Sequence, residues 1–341
     1  MIGREETFLK DYAEKVNPLL KTFLAIKTKE ASKVGKIPEK VLEKFSEMAF
    51  KGKKIRGALV VLGYLLGNGK KLDEIYDASI FIEIFHTGIL VHDDIIDKSD
   101  IRRGLTTIHK QFNTSLALCV GDAAFFLAFE KLLDSNFPTK DKFKALKLFS
   151  QYASRLAYGQ ELDIINNDIS KVQEKDILDI YKYKTAEYTG ALPLLIGSTL
   201  AGLNDKKKIR NLYNLGLSLG WVFQITDDIL GIFGEEKETG KSTSSDISEG
   251  KITLLQFYLH KCGTREQKDL QSKLLGKKNI SEIDLEVLKK SLIDCGALEY
   301  VTGKCSKYEK SVRKNLLILT KEYRLKKIIM NLVQYLIERK S

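Results

Sequence analysis

Two groups of aspartates stand out in this sequence, because each follows a largely apolar run that can form a helix. The first group contains Asp93, Asp94 and Asp97, and the second contains Asp227 and Asp228. Carboxylates on apolar helices repel one another and are costly to desolvate, so two such groups that meet need a strong positive charge between them. Oxygen ligands favour Mg²⁺, which commonly shares its coordination sphere with phosphates. The two groups therefore predict a metal site that binds a diphosphate.

The spacing within the first group places two carboxylates on one face of a helix. Asp93 and Asp97 are four residues apart, which corresponds to about 6 Å between side chains on an α-helix. The same face continues towards the N-terminus as an apolar stripe that comprises Ala78, Phe81, Phe85, Gly88 and Ile89. Carboxylates at one end of this face and apolar residues along the rest of it suit a substrate with a charged head and a hydrocarbon tail.

Helical patterns extend over most of the chain, and these elements must position the aspartates. Apolar residues recur at intervals of three and four, sustained alternation is absent, and only four prolines interrupt the sequence. We predict an all-α fold with a single domain over residues 1–341, since no long linker is present. Residues 234–245 are rich in Gly, Ser, Thr and charged residues, and their position beside the second aspartate group suggests a lid. Helix boundaries are expected near residues 35–38, 67–72, 135–140, 204–206, 231–250 and 276–281.

The composition indicates a globular protein with an excess of positive charge. Of 341 residues, 43% are hydrophobic, and 56 Lys and Arg oppose 45 Asp and Glu, which gives a net charge of +11. The basic residues are scattered and form no nucleic-acid-binding motif. We therefore expect phosphorylated small molecules as partners and no nucleic acid.

The cysteines and the N-terminus favour a cytoplasmic location. Cys119, Cys262, Cys295 and Cys305 show no metal-ligand spacing, and the first ten residues are too polar for a signal peptide. The longest apolar stretches, such as residues 191–195, are shorter than the roughly 20 residues that a membrane span needs. Any membrane contact is therefore expected to be peripheral.

Short motifs occur along nearly the whole chain. They are GKKIR at 52–56, EIFH at 83–86 continuing to Asp97, RRG at 102–104, GD at 121–122, GQ at 159–160, KT at 184–185, FQ at 223–224 continuing to Asp228, and GK at both 240–241 and 250–251. Together they resemble the all-trans isoprenyl diphosphate synthases, the family of farnesyl, geranylgeranyl and polyprenyl diphosphate synthases. The resemblance implies a homodimer of all-helical bundles around a deep central cavity, with the two aspartate motifs facing each other at its mouth.

The resemblance also implies roles for single residues at the allylic diphosphate. Asp93, Asp97 and Asp227 would bind Mg²⁺, with three ions per active site, and Asp94 would belong to the same catalytic motif. The residues that would contact the phosphates are Arg102, Lys184, Lys241 and Lys251, and those that would lie near the reacting end of the allylic chain are Thr185 and Gln224.

The second substrate of such an enzyme would be isopentenyl diphosphate, whose pocket matches Lys53, Arg56, His86 and Arg103. The diphosphate that leaves would be held through metal, whereas the one that stays bonded would be held by Arg and Lys. The implied reaction is ionisation of the allylic C–O bond, attack of the isopentenyl double bond on the cation, and loss of a proton. No protein nucleophile is required.

Two positions depart from the family pattern. Gly231 stands where many relatives have a third aspartate. Metal ligation in the second motif would then rest on Asp227 alone, and Asp228 would support Asp227 without touching the metal. Gly88 stands where many short-chain relatives carry an aromatic residue that closes the cavity. The product would then extend to Phe85 or Phe81, unless residues 125–129 close the cavity first. This predicts geranylgeranyl diphosphate or a product one or two units longer.

Two alternative functions share parts of this pattern. A non-catalytic partner subunit of a heteromeric synthase would have the same fold, but it should have lost acidic or basic site residues that this chain retains. A class I terpene cyclase would have the first aspartate motif. It should, however, replace the second with an Asn-Ser/Thr-Glu pattern and lack the isopentenyl pocket.

Overall fold

The computed structural model describes residues 7–234, 245–277 and 279–338, most of which lie in helices. The all-α prediction is therefore confirmed. Contacts within the chain define two compact units, of which the first is Met1–Phe149 with Pro193–Ile209 and the second is Ser150–Leu192 with Arg210–Ser341. The single domain over residues 1–341 stays a prediction.

The first unit is built on long helices whose apolar positions follow the helical repeat. Its first helices are α1 (Thr7–Val34), α2 (Lys36–Phe50), α3 (Ile55–Leu66) and α4 (Leu72–Ile96), and α5 (Ile108–Gln111) and α6 (Thr114–Leu133) follow later in the chain. In α1, Tyr12, Val16, Leu20 and Leu24 recur every four residues and are fully buried. Helix α4 packs against α6 and α3, which buries most of its length before the aspartates at its C-terminal end.

A short hairpin follows α4 and consists of two antiparallel strands, β1 (Ile101–Arg102) and β2 (Leu105–Thr106). Its turn is formed by Arg103 and Gly104, with φ values of 53° and 70°. Two successive residues with positive φ are typical of a type I′ turn, whose twist matches that of the paired strands. The all-α prediction did not include these strands, because two-residue strands leave no alternating pattern. The hairpin orients the two arginines of the RRG motif.

The remaining elements are again helices. In chain order they are α7 (Thr139–Ile165), α8 (Glu174–Ile180), a π-helical segment (Tyr181–Ala191), α9 (Leu192–Leu200), α10 (Lys206–Phe233), α11 (Ser245–Ser248), α12 (Leu254–Cys262), α13 (Arg265–Leu274), α14 (Glu282–Asp294), α15 (Ala297–Leu319) and α16 (Tyr323–Glu338). Within the second unit the π-helical segment lies directly on α10. A Cβ atom at Gly190 would lie 1.9 Å from the carbonyl oxygen of Gly216, so only glycine permits this approach.

Helix α10 carries the second aspartate group and contains a long apolar window. By length and composition it could cross a membrane, but 61% of its most apolar window is buried inside the protein. A buried helix of this kind has the composition of a core element. We therefore interpret α10 as a core helix whose C-terminal part presents the aspartates.

Candidate active site

The first aspartate group lies at the C-terminal end of α4. Asp93 and Asp97 are partly exposed and one helical turn apart, whereas Asp94 is only 1% exposed. Arg102 from the hairpin pairs with Asp94, and its Nε and Nη2 atoms each lie 2.6 Å from Oδ1 of that carboxylate. This ion pair fixes the hairpin to the last turn of α4. The contact of Arg102 with a substrate phosphate stays a prediction.

Basic side chains gather near the first aspartate group, within the same unit. Burial, followed by the positive charges of Arg56, Arg103 and Arg102, holds the pKa of His86 well below its ordinary value. Burial also lowers the pKa of Arg103 to about 10. The structure thus brings three of the four predicted isopentenyl-pocket residues together, and the side chain of the fourth, Lys53, is exposed. A neutral imidazole among arginines suits an anionic ligand.

Two further charged residues, Lys54 and Glu83, support this pocket, and neither was given a role from the sequence. Lys54 has a φ of 55°, is 2% exposed, and donates through Nζ to two carbonyls in the last turn of α2 at 3.0 and 3.1 Å. Arg103 donates through Nη1 to the carbonyl of Met48 in the same turn at 2.8 Å. The buried carboxylate of Glu83 accepts a bond from the backbone N–H of Gly57 at 2.7 Å. These contacts tie α2, α3, α4 and the hairpin together behind the arginines.

The second aspartate group repeats the arrangement of the first. Asp227 is partly exposed, and Asp228 is buried with 4% exposure. Gln224, one turn earlier on α10, donates from Nε2 to Oδ1 of Asp228 at 2.8 Å, and Thr185 donates to Oε1 of Gln224 at 2.5 Å. The hydroxyl of Tyr181 donates to Oδ2 of Asp228. The structure therefore joins the two predicted residues Thr185 and Gln224 to the buried aspartate.

Lysines predicted to bind phosphate are paired with carboxylates in the second unit. Lys184, on the π-helical segment, bonds to Asp163 of α7. Lys251 lies 2.5 Å from the carboxylate of Glu249. Both lysines are only partly exposed. Lys241 and the predicted lid over residues 234–245 lie largely outside the described residues, which resume at 245.

The carboxylates of both groups fit Mg²⁺ in their chemistry. Asp93, Asp97 and Asp227 offer only oxygen ligands at partly exposed positions. Over residues 7–234, 245–277 and 279–338, no group of three or more His, Cys, Asp or Glu side chains is arranged to hold a metal ion by itself. Mg²⁺ is usually bound by one or two carboxylates, while waters and substrate phosphates complete its sphere.

The environment of Gly88 differs from the sequence-based expectation. A Cβ atom at Gly88 would lie 2.9 Å from Cβ of Ala124, 3.0 Å from the carbonyl oxygen of Gly121 and 3.1 Å from Cε1 of Phe125. The premise that the missing side chain leaves an open gap is therefore wrong, because α6 fills the space beside this glycine. The role of Gly88 in product length stays a prediction, and its physical basis becomes the close approach of α4 and α6.

Aromatic rings form a cluster around Phe85 and Phe81, which precede Gly88 on α4 in the first unit. The ring of Phe85 lies 4.8 Å from that of Phe125 and 4.7 Å from that of Phe149, between centroids. The ring of Phe81 lies 5.3 Å from that of Phe149. Phe81 and Phe85, which were predicted to stop the growing chain, thus pack against rings from α6 and α7. Phe125 itself belongs to residues 125–129, the segment that was predicted as an alternative stop.

Comparison with known proteins places this arrangement in a family. The profile of the family described as polyprenyl synthetase matches residues 39–292. Geranylgeranyl diphosphate synthase of Sulfolobus acidocaldarius is 31% identical over 308 residues, which cover 90% of this chain and 89% of that protein. Geranylfarnesyl diphosphate synthase of Aeropyrum pernix is 31% identical over 294 residues, which cover 84% and 90%.

Solved structures agree with the sequence comparison. The crystal structure of geranylgeranyl pyrophosphate synthase from Corynebacterium glutamicum, complexed with isoprenyl diphosphate and magnesium, superposes with a TM-score of 0.90. It is 27% identical, and the match covers 97% of this chain and 99% of that one. The chain therefore belongs to the polyprenyl synthetase family, that of the all-trans isoprenyl diphosphate synthases.

Proposed function

We propose that this protein is an Mg²⁺-dependent trans-prenyltransferase that condenses isopentenyl diphosphate with an allylic diphosphate to give an all-trans prenyl diphosphate. The observation that carries the proposal is the repeated aspartate arrangement in a chain of this family. Each motif presents a partly exposed first aspartate beside a buried second one. The magnesium and isoprenyl diphosphate of the C. glutamicum complex support the same class of ligands here.

In this proposal Asp93, Asp97 and Asp227 hold the Mg²⁺ ions, of which we propose three. When bound, Mg²⁺ stabilises the negative charge that builds on the leaving diphosphate. Lys184 and Lys251 contact the same diphosphate, each by exchanging its present carboxylate partner for a phosphate oxygen. Lys241 is assigned to this diphosphate by its motif.

Isopentenyl diphosphate is assigned to the basic cluster of Arg56, His86 and Arg103 in the first unit, together with the exposed Lys53. Its diphosphate stays bonded through the reaction, so fixed positive charges suffice to hold it. Neutral His86 has a ring N–H that can donate to a phosphate oxygen. The contribution of the cluster is to orient the double bond towards the allylic cation, which lowers the entropic part of the barrier.

We propose geranylgeranyl diphosphate, or a product one or two isoprene units longer, as the main product. The named activities of the S. acidocaldarius and A. pernix relatives support this range. The aromatic cluster around Phe85 and Phe81 is the proposed floor for the growing chain, with Phe125 beside Gly88. Replacement of Phe85 by Ala should lengthen the main product by opening volume, and chromatography of the products measures this.

We further propose a homodimer in the cytoplasm, with at most peripheral contact with membranes. Large apolar side chains that are exposed on α6 and α7 support a partner surface. Leu118 is 44% exposed, Phe126 is 69% exposed and Phe143 is 68% exposed. Exposed apolar side chains mark an interaction site where they form a contiguous patch.

Removal of the metal tests the proposed reaction. Purified protein incubated with isopentenyl and farnesyl diphosphates should form a longer prenyl diphosphate, and a chelator should abolish the product. Addition of Mg²⁺ in excess should restore it. Conversion that continues unchanged in the chelator would contradict the proposed role of the aspartates.

A further inference from the structure

Tyr181 occupies a position that the proposed chemistry does not use directly. It begins the π-helical segment and is buried with 5% exposure. Its hydroxyl donates to Oδ2 of Asp228 and accepts a bond from the backbone N–H of Leu254 at 3.0 Å. Because a backbone N–H can only donate, the hydroxyl proton must point to the carboxylate. Burial, together with the charge of Asp228, raises the pKa of Tyr181 well above its ordinary value, so the phenol keeps this proton.

The tyrosine connects three elements of the second unit. Asp228 lies on α10, directly after Asp227, and Gln224 holds its other oxygen at 2.8 Å. Leu254 is the first residue of α12 and follows Lys251 by three positions. One hydroxyl thus bridges the helix of the second aspartate motif and the segment that carries a proposed phosphate ligand.

The second motif has particular need of such support. Gly231 offers no carboxylate at its last position, so the motif presents Asp227 and Asp228 alone. Asp228 is buried, and a buried carboxylate keeps one orientation only while donors satisfy its oxygens. Loss of one donor lets the side chain rotate and loosens the turn of α10 that presents Asp227.

We propose that Tyr181 is a positioning residue for the second aspartate motif, which it serves by fixing Asp228 and tying α10 to the start of α12. The inference rests on the proposed function, since it assigns Asp227 to a metal–diphosphate ligand. Tyr181 itself touches neither ligand. Outer partners of this kind commonly alter metal affinity by about tenfold to a hundredfold when they are removed.

The test compares Tyr181→Phe with Tyr300→Phe. Tyr300 is a matched control, because its hydroxyl also donates to a carboxylate, that of Glu174, which is not assigned to the site. The measured quantity is the Mg²⁺ concentration that gives half of the rise in unfolding temperature with inorganic diphosphate present. Tyr181→Phe should raise this concentration by about tenfold or more, and Tyr300→Phe should leave it unchanged. An unchanged value for Tyr181→Phe, even with lower thermal stability, would overturn the proposal.

A double variant tests the route through Asp228. Asp228→Asn alone keeps the tyrosine and covers the case in which Tyr181→Phe gives too little folded protein, because loss of the carboxylate that Tyr181 fixes should also raise the required Mg²⁺ concentration by about tenfold. Asp228→Asn alone and Asp228→Asn with Tyr181→Phe should require the same Mg²⁺ concentration, because the tyrosine acts through the carboxylate. A further tenfold rise in the double variant would show another route and overturn the proposal. Binding of Mg²⁺ and diphosphate needs no prenyl transfer, so failure of the transferase assay with normal binding would refute the proposed function alone.

Discussion

Replacement of Gly88 by Ala tests whether α6 fills the space beside this glycine. The added Cβ would meet Cβ of Ala124 at 2.9 Å and the carbonyl oxygen of Gly121 at 3.0 Å. The second contact is to backbone, which cannot turn away like a flexible side chain. We therefore expect α4 and α6 to separate by a few tenths of an ångström, with a loss of packing along their shared surface.

Two opposing effects determine how much Gly88→Ala changes the free energy of unfolding. Ala in a helix interior is favoured over Gly by about 1 kcal/mol. Overpacking in a close-packed region costs about 1–3 kcal/mol. The net effect on the free energy of unfolding is a loss of up to about 2 kcal/mol.

Gly303 provides a matched control within α15. It is also a helical glycine, but a Cβ atom there would meet nothing within 4 Å. Gly303→Ala should therefore stabilise the protein by about 1 kcal/mol, which is the helix propensity term alone. Denaturant unfolding followed by circular dichroism measures both variants. Equal stabilisation by the two substitutions would refute the close packing of Gly88 and restore the open gap that the sequence suggested.

The other predictions concern the two substrate pockets and the residues that support them. Arg56→Ala should raise the KM for isopentenyl diphosphate by on the order of tenfold, with little effect on the KM for the allylic diphosphate, and Lys184→Ala should do the reverse in steady-state kinetics. Lys54→Met should lower the free energy of unfolding by about 1.5–3 kcal/mol through loss of its bonds to α2, whereas the exposed Lys51→Met should change it by less than about 0.5 kcal/mol. Since the pKa of His86 is depressed in the folded protein, its contribution to stability is complete above the unfolded pKa of about 6.5 and decreases as the pH falls below it, so His86→Gln should flatten the acid side of a stability–pH curve.

Much of the fold could be predicted from the sequence, because helix breaks are local events. The breaks after α1, α3, α6 and α9 lie at residues 35, 67–71, 134–138 and 201–205, close to the predicted boundaries. Breaks that were not predicted include those at residues 51–54, 97–107, 166–173, 263–264, 295–296 and 320–322. The first of these depends on Lys54, whose left-handed backbone and buried amine have no signature in the sequence beyond a run of lysines.

In the candidate site, likewise, residue types and spacing could be read from the sequence, whereas burial and side-chain partners could not. The aspartates were evident from their types and spacing, but the difference between partly exposed Asp93 and buried Asp94 depends on Arg102, which reaches back from a hairpin. Tyr181 gave no signal, since a tyrosine on a helix has no characteristic partner until α10 and α12 are placed beside it. Gly88 was expected to leave the cavity open towards Phe85, because sequence spacing does not show which neighbouring helix faces a residue.

Both aspartate motifs are proposed to serve one transfer reaction, and the stoichiometry of that reaction tests this proposal most directly. Purified protein with isopentenyl diphosphate, farnesyl diphosphate and Mg²⁺ should release one inorganic diphosphate for each isopentenyl diphosphate consumed and form geranylgeranyl diphosphate or a longer product. Asp93→Ala and Asp227→Ala should each reduce this turnover by on the order of a hundredfold. Full turnover in either variant, or diphosphate release without consumption of isopentenyl diphosphate by the wild-type protein, would contradict the account.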